Sequence, residues 1–374
     1  MALTQDALYA GIELDLELSW SEQQLPERVR TKHVHRLHPY LGKFIPQLVE
    51  ELFRRHVPAG GRVLDPFAGS GTTLVQGLES GLEATGVDLA AFNCLLMKVK
   101  TRRYNLFRLE HDLRDALARF DRAEAAPAGE ASPYVRDWFA PQAAADLLAF
   151  GALAGEYEHA DVLRVVLARS ARSARLTTHF DLDFPRTPQR TPYWCHKHKH
   201  ECRPIDHAGH FIRRYTLDTL TRLKEFARLR GRREAEVIHG DARAIDLHGA
   251  FDAVVTSPPY PGLIDYHEQH RYAYELLGLD DLRERELGAA AAGTGREALA
   301  AYVEGVAAVL SRASMALRKD GPLLIVVNDR RNLYPEVLDR SGLCLDGRYR
   351  RHVNRRTGRR GGEYFEDVLV ARRA

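Results

Sequence analysis

Residues 61–73 read Gly-Arg-Val-Leu-Asp-Pro-Phe-Ala-Gly-Ser-Gly-Thr-Thr, and no other stretch of the 374-residue chain constrains its fold as tightly. A short apolar run, Val63-Leu64, enters a glycine-rich turn. A helical pattern follows from Thr72 to Glu79, Gly81 breaks it, and Ala84 to Asp88 reads as a second strand ending in an acid. Strand, Gly-rich turn, helix, strand and acid form the opening of a doubly wound α/β sheet that holds a nucleotide-like ligand. Gly69 and Gly71 let the backbone bend sharply and approach that ligand. Asp88 stands 23 residues after Asp65, where a carboxylate accepts hydrogen bonds from both ribose hydroxyls. The turn lacks the third glycine of a dinucleotide fingerprint and the Gly-Lys-Ser/Thr of a phosphate loop, which favours a nucleoside without a pyrophosphate.

The sheet resumes late in the chain. Glu236 to His239, Phe251 to Thr256 and Gly321 to Val327 read as strands, Glu297 to Leu317 as a helix, and Leu343 to Arg350 and Tyr364 to Ala371 as two last strands. Between the halves, Pro141 to Ala154, Val162 to Leu176 and Phe211 to Leu229 carry helical periodicity, with a Pro-, Arg- and His-rich loop from Asp181 to Gly209. Asp121 to Ser132 reads as a surface linker and Gly288 to Gly295 as a mobile loop. The expected organisation is a catalytic domain in two parts, 1–104 and 234–374, interrupted by a mainly helical subdomain at 105–233.

Charge matters here by position. The net charge is only +3, and 46 of the 54 basic residues are arginine, a bias that weakens arginine content as evidence. Yet Val162 to Arg233 holds 17 Lys+Arg against 6 Asp+Glu, an excess of 11, so the remainder carries −8. A basic segment of this kind steers polyanions. The N-terminus lacks the pattern of a secretion signal, no uncharged apolar run reaches a membrane span, and Cys94, Cys195, Cys202 and Cys344 form no disulfide framework. A cytoplasmic, nucleoid-associated setting without a membrane partner is expected.

Thr256-Ser257-Pro258-Pro259-Tyr260 ends the fourth strand. Two prolines remove two backbone donors and fix an extended turn. A hydroxyl and a carbonyl there accept hydrogen bonds from an exocyclic amino group, and Tyr260 offers a ring for stacking. His239-Gly240-Asp241-Ala242 places another acid at the same crevice, open to an adenine amino group or to a plain turn.

Together, Asp-Pro-Phe-Ala-Gly-Ser-Gly-Thr-Thr and Thr-Ser-Pro-Pro-Tyr resemble the amino-methylating DNA methyltransferases that use S-adenosylmethionine. Upstream, His38-Pro39-Tyr40-Leu41-Gly42-Lys43-Phe44 resembles that family's leading cofactor motif. The likeness covers roughly Leu37 to Lys100 and Val237 to Val327. It implies a class I, Rossmann-like, mostly parallel seven-stranded sheet. It also implies that Tyr40, Lys43 and Phe44 lie near the methionine end of the cofactor. Asp65, Phe67, Gly69, Gly71 and Thr72 would cradle its amino-acid part, Asp88 its ribose, and Asp241 with Ala242 its adenine. Ser257, Pro258, Pro259 and Tyr260 would hold the target base. In this family Ser-Pro-Pro-Tyr usually accompanies cytosine N4 and Asp-Pro-Pro-Tyr adenine N6. Cytosine N4 is therefore expected, with adenine N6 or an RNA amino group as alternatives on the same fold. No Pro-Cys nucleophile of the C5-methylating enzymes is present. Double-stranded DNA is the implied partner, and a cognate restriction nuclease is compatible with it.

The loop Tyr193-Trp194-Cys195-His196-Lys197-His198-Lys199-His200-Glu201-Cys202-Arg203-Pro204 offers two cysteines and three histidines within eight residues. It has no Cys-x-x-Cys pair, and alternating histidines face one way only in a strand. The expectation is therefore no metal. Lys197, Lys199 and Arg203, with Arg213 and Arg214 of the following helix, are expected to touch DNA. Arg348 to Arg360 is read equally as a hairpin facing the substrate backbone or as a solvated hairpin.

Overall fold

The computed structural model describes residues 14–122, 131–182, 185–247, 249–353 and 364–374. Most of the expected linker and the tip of the Arg-rich C-terminal stretch lie outside the described residues. After short helical turns at Leu16–Leu18, Glu27–Arg30 and His33–Arg36 come α1 (Pro46–His56), β1 (Arg62–Asp65), α2 (Thr72–Glu79), β2 (Glu83–Asp88) and α3 (Ala91–Thr101). A helical block follows: α4 (Leu106–Asp121), α5 (Pro133–Trp138), α6 (Pro141–Ala154) and α7 (Ala160–Ala174). It continues through a small hairpin, β3 (Tyr193–Cys195) and β4 (His200–Cys202), into α8 (Gly209–Leu229). The chain then runs through β5 (Ala235–His239), β6 (Ala253–Thr256), α9 (Tyr266–Gln269), α10 (Arg271–Leu277) and α11 (Arg296–Met315). It ends with β7 (Leu323–Val327), α12 (Tyr334–Arg340), β8 (Leu343–His352) and β9 (Phe365–Arg373).

Seven strands form one sheet in the order β5-β2-β1-β6-β7-β9-β8. The first five in that order are parallel; β9 runs antiparallel to both of its neighbours. The order reverses between β1 and β6, which pair directly through Val63↔Ala253 and Leu64↔Val254. Ligands of open α/β sheets bind outside the carboxyl ends of the strands at such a switch point. The Gly-rich turn leaves β1 and the Pro-Pro-Tyr turn leaves β6, so one strand pairing sets the two motifs side by side.

Side chains alternate across the strands and fill two layers. Leu64, Val254, Leu323 and Ile325 meet α11 and α12 on one face. Val63, Ala253, Val255 and Leu324 meet α1 and α2 on the other. Among the described residues, α11 alone is long and apolar enough to cross a membrane. Its Val303, Val306 and Leu310 are buried against the sheet, which accounts for that apolarity.

The helical block shares a core with the sheet's outer helices. Val75 and Leu78 of α2 and Phe92, Leu96 and Val99 of α3 form one buried cluster with Leu109, Leu147, Val166 and Leu223 of the block. Local capping starts these helices: the Asn105 carboxamide oxygen accepts from Phe107 N and Arg108 N at 3.2 Å, and Pro141 occupies the first turn of α6. Helix α10 packs its Tyr272 and Ala273 into the same cluster. The sequence pattern names no element at α1, α3, α4, α5, α12, the β3–β4 hairpin or residues 261–287, all of which carry one. Gly288–Gly295 contains a single short turn, Ala290–Ala292.

Candidate active site

At the switch point a cavity of about 870 Å³ opens over the carboxyl ends of β1, β2 and β6. Of the expected cofactor residues, Tyr40, Lys43, Phe44, Asp65, Phe67, Gly69, Thr72, Asp88, Asp241 and Ala242 line it. Gly71 caps α2 beside them with φ +80°, and a Cβ there would lie 2.7 Å from Met97, so only glycine fits.

The acids do different work. Asp65 is buried at the end of β1 and accepts from Thr73 Oγ1 and Thr256 Oγ1, each at 2.6 Å, and from Phe67 N at 3.1 Å. Burial pushes its pKa up to about 6, against the pull of those hydrogen bonds. Thr256 immediately precedes Ser257, so Asp65 ties the glycine turn to the Ser-Pro-Pro-Tyr turn. It positions the site and has little left for a ligand. Asp88 accepts from Gly69 N at 2.8 Å on Oδ2, and from Ala90 N at 2.8 Å and Asn93 Nδ2 at 3.0 Å on Oδ1. Oδ2 keeps one acceptor position for a ribose hydroxyl. Burial raises this carboxyl to about 6 as well.

Asp241 reaches the cavity wall, but its availability differs from expectation. Its Oδ1 takes Arg243 N and Nε, both at 2.9 Å; its Oδ2 takes Arg243 Nη2 at 2.7 Å and Arg285 Nη2 at 3.0 Å. The Arg243 hydrogen bond is the main cause of a pKa held at about 2. All four acceptor positions are filled in this conformation, so no lone pair faces an adenine amino group. Three of these contacts come from Arg243, only two residues on; the fourth, from Arg285, crosses 44 residues of sequence.

A second, wider cleft of about 2150 Å³ adjoins the first. Tyr40, Gly42, Lys43, Phe44, Ser257 and Tyr266 line both and form the partition between them. Tyr40 stacks on Tyr266 and His270, each with ring centroids 5.5 Å apart. His38 anchors its strand of chain: one ring nitrogen lies 2.7 Å from Pro39 O and the other 3.1 Å from Tyr272 Oη. Burial drives the pKa values of His38 and His270 far down, to about 3 for His270, so both rings are neutral. Lys43 Nζ donates to His35 O at 2.8 Å, and burial lowers it to about 8. Beneath the glycine turn, buried Lys100 donates to Ser70 O at 2.5 Å.

Of the Ser-Pro-Pro-Tyr turn, Pro258 and Tyr260 face the wider cleft, Pro259 the first cavity, and Ser257 both. Ser257 Oγ donates to Val326 O of β7 at 3.0 Å. With its only proton so engaged, the oxygen can only accept from a ligand. Tyr260 donates to Glu366 Oε1 at 3.2 Å, and burial raises its phenol well above the usual value. Arg351, buried with its guanidinium 3.4 Å from Glu366, lines the same cleft, as do Arg30, Arg36, Arg169 and Arg172.

The residues present fit S-adenosylmethionine: a cavity at the switch point lined by Asp88 and the glycine turn, an Oδ2 acceptor on Asp88, and a glycine backbone whose left-handed bend at Gly69 (φ +51°) keeps a side chain out of the wall. Sequence reasoning missed Thr73, Asn93, Thr256, Tyr266, Glu286 and Arg285. Thr73 and Thr256 carried a signal, since both flank the motifs; Tyr266, Arg285 and Glu286 lie in the unread segment.

The DNA-facing expectations separate. Lys197, Lys199, Arg203 and Arg214 are exposed. Arg213 is exposed too, but pairs with Asp121 at 2.7 Å. Lys224 pairs with Glu110 at 2.6 Å, and Arg169 and Arg222 with Asp218 at 2.5 and 2.8 Å. The charge excess of the 162–233 segment is thus partly neutralised by Asp121 and Glu110 of α4, which a sequence window does not register, whereas Asp218 lies inside the segment and is already counted in it. His179, outside the 193–204 loop, lies with Cys195, His198 and Cys202 in one cluster of His and Cys side chains.

Strand order and site together define a class I methyltransferase, the fold of S-adenosylmethionine-dependent methyl transfer. No family model matches the chain. It is 34% identical to the Type II methyltransferase M.MjaII of Methanocaldococcus jannaschii, over 96% of its own length and 83% of that protein's. It is 43% identical over 70 residues to the Type II methyltransferase M.MvaI of Kocuria varians, 18% of this chain and 15% of that one. The chain therefore belongs to the Type II methyltransferases, a family of DNA methyltransferases, and S-adenosylmethionine is its methyl donor. Solved structures are more distant. TrmN from Thermus thermophilus gives a TM-score of 0.34 at 13% identity, covering 89% of this chain and 50% of that one. A TehB-like SAM-dependent methyltransferase from Corynebacterium glutamicum gives 0.33 at 10% identity, covering 87% of each. The strand order, not these likenesses, carries the fold assignment.

Proposed function

We propose that this enzyme methylates the exocyclic N4 amino group of a cytosine flipped out of duplex DNA. The observation that carries the proposal is Ser257. Its proton is held by Val326 O, so its oxygen faces the partition between the two cavities as a neutral acceptor. An amino group buried in a base-paired stack must leave the helix to reach such a partition. Ser257 Oγ and the Pro258 carbonyl accept its two N–H groups and draw the nitrogen lone pair out of ring conjugation. Tyr260, held by Glu366, stacks on the base. When bound, S-adenosylmethionine supplies an electrophilic methyl group. Asp88 and the Gly69–Gly71 turn hold its nucleoside and amino-acid parts, Asp65 keeps the two turns in register, and Tyr40 closes the partition. The rate comes from positioning, with no covalent enzyme intermediate.

The wider cleft, with Arg30, Arg36, Arg172 and Arg351 on its walls, accommodates the base and adjacent backbone. The helical block at 105–233 is the DNA-handling part, and Lys197, Lys199, Arg203 and Arg214 contact phosphates. The test is expression in a methylation-free host followed by modification-aware sequencing. N4-methylcytosine in a fixed sequence context is expected. N6-methyladenine would overturn the base assignment, and unmodified DNA with methylated RNA would overturn the substrate.

A further inference from the structure

We propose that His179, Cys195, His198 and Cys202 form a structural zinc site that shapes the loop between α7 and α8. One ligand atom from each of the four lies within 4.8 Å of all the others. Zinc sits about 2.3 Å from sulfur and about 2.0 Å from nitrogen in a tetrahedron, which makes each S···N edge about 3.5 Å. Here Cys195 Sγ lies 3.6 Å from His179 Nδ1, and Cys202 Sγ 3.3 Å from His198 Nδ1. The His179 and His198 rings meet with centroids 4.4 Å apart.

The hairpin explains how dispersed residues converge. β3 and β4 pair as Tyr193↔Cys202, Trp194↔Glu201 and Cys195↔His200, which puts Cys195 and Cys202 on one face and Trp194 on the other. The turn between the strands folds back on Cys195. Its thiol receives the backbone N–H groups of His198 and Lys197, and Lys199 N donates to Cys195 O at 2.8 Å. Lys199 adopts φ +59° to close this turn. Backbone N–H groups aimed at sulfur stabilise a thiolate ligand. Tyr193 Oη accepts the His179 backbone N–H at 3.1 Å, which holds that residue against the hairpin. His200 is not part of the set, because its Nδ1 bonds Glu201 O at 2.8 Å.

Packing alone does not account for this arrangement. Cys195 and Cys202 are buried, yet neither belongs to a hydrophobic core cluster, and residues 196–201 between them are exposed. A hairpin of two three-residue strands without a core is not stable in water. Two thiolates and two imidazoles in a tetrahedron select zinc, and four protein ligands leave no open position for catalysis. The metal's role is therefore to fix the loop, which holds Trp194, 60% exposed, and Lys197 and Lys199 on its outer surface.

The test is elemental analysis of the untagged enzyme purified without chelator, with one zinc per chain expected. Cys195→Ser and Cys202→Ser should lose at least nine-tenths of it, while Cys94→Ser and Cys344→Ser should keep it. A wild-type measurement covers the case in which the cysteine variants fail to fold. With zinc bound, alkylation of Cys195 and Cys202 should be at least ten-fold slower than after chelation, whereas exposed Cys344 should react equally in both states. A reduced wild-type enzyme that holds under 0.1 zinc and takes up neither Zn²⁺ nor Co²⁺ would overturn the proposal. So would a Cys195–Cys202 disulfide in the freshly purified protein.

Discussion

The edge of the sheet and the helical block handle polar groups in opposite ways. At the carboxyl ends of β1, β2 and β6, the polar side chains are buried and hold one another: Asp65 with Thr73 and Thr256, Asp88 with Gly69 N and Asn93, Ser257 with Val326 O. In the block they lie near the surface as ion pairs, such as Lys224–Glu110 and Arg213–Asp121. Buried hydrogen-bonded groups are costly to disturb, and surface pairs contribute about 0–1 kcal/mol. Substitutions at the sheet edge should therefore alter stability and chemistry, and those in the block mainly affinity for a polyanion.

The largest effect is expected at Asp65. Asp65→Leu strands two buried hydroxyls and one N–H and should lower stability by about 3–5 kcal/mol, read by denaturant unfolding. Asp65 also predicts a pH trend. Its folded pKa of about 6 lies above its ordinary value of 3.8, so the folded state binds the proton more tightly. Stability from this group is fully present below its ordinary value and is lost as pH rises to about 6. Asp88 acts in the same direction. Asp88→Asn should flatten the fall in stability between pH 4 and 6; an unchanged slope would remove Asp88 from the account.

Ser257→Ala should come next. It should slow methyl transfer about 100-fold, or about 2.7 kcal/mol, while binding of S-adenosylmethionine measured by calorimetry stays within two-fold. Gly69→Ala should weaken that binding about ten-fold with a smaller effect on the rate at saturation, because the backbone there is left-handed and a Cβ would lie 3.0 Å from Tyr40 Oη. In the block, replacing Lys197, Lys199 and Arg203 by Ala together should reduce the slope of log affinity for DNA against log salt by up to about 2.7. Arg213→Ala, already paired with Asp121, should change that slope least. Equal effects at Arg213 and at the loop would erase the distinction between paired and unpaired charge.

The same contrast decides what could be read from the sequence. The sheet was legible because buried parallel strands are short apolar runs and its turns need particular residues: β6, β7 and the span of α2 follow from Phe251–Thr256, Gly321–Val327 and Thr72–Glu79. Tyr40, Asp88 and Ser257 could be placed because their motifs are local. Asp241 could not be judged from its motif, since the fold of its own turn brings Arg243 onto three acceptor positions and Arg285 takes the fourth from 44 residues away. His179 was missed for the same reason: it reaches Cys195 across 16 residues through a loop without periodicity. Residues 261–287 carry no motif, so Tyr266 and Glu286 were invisible until α9 and α10 brought them to the cavity.

The central claim is that Ser257 presents an acceptor to a cytosine amino group. The most direct measurement is nucleoside mass spectrometry of duplex DNA after incubation with purified enzyme and S-adenosylmethionine, wild type beside Ser257→Ala. N4-methylcytosine is expected from the wild type, with about 100-fold slower formation by the variant. N6-methyladenine as the product, or equal rates from the two enzymes, would contradict it.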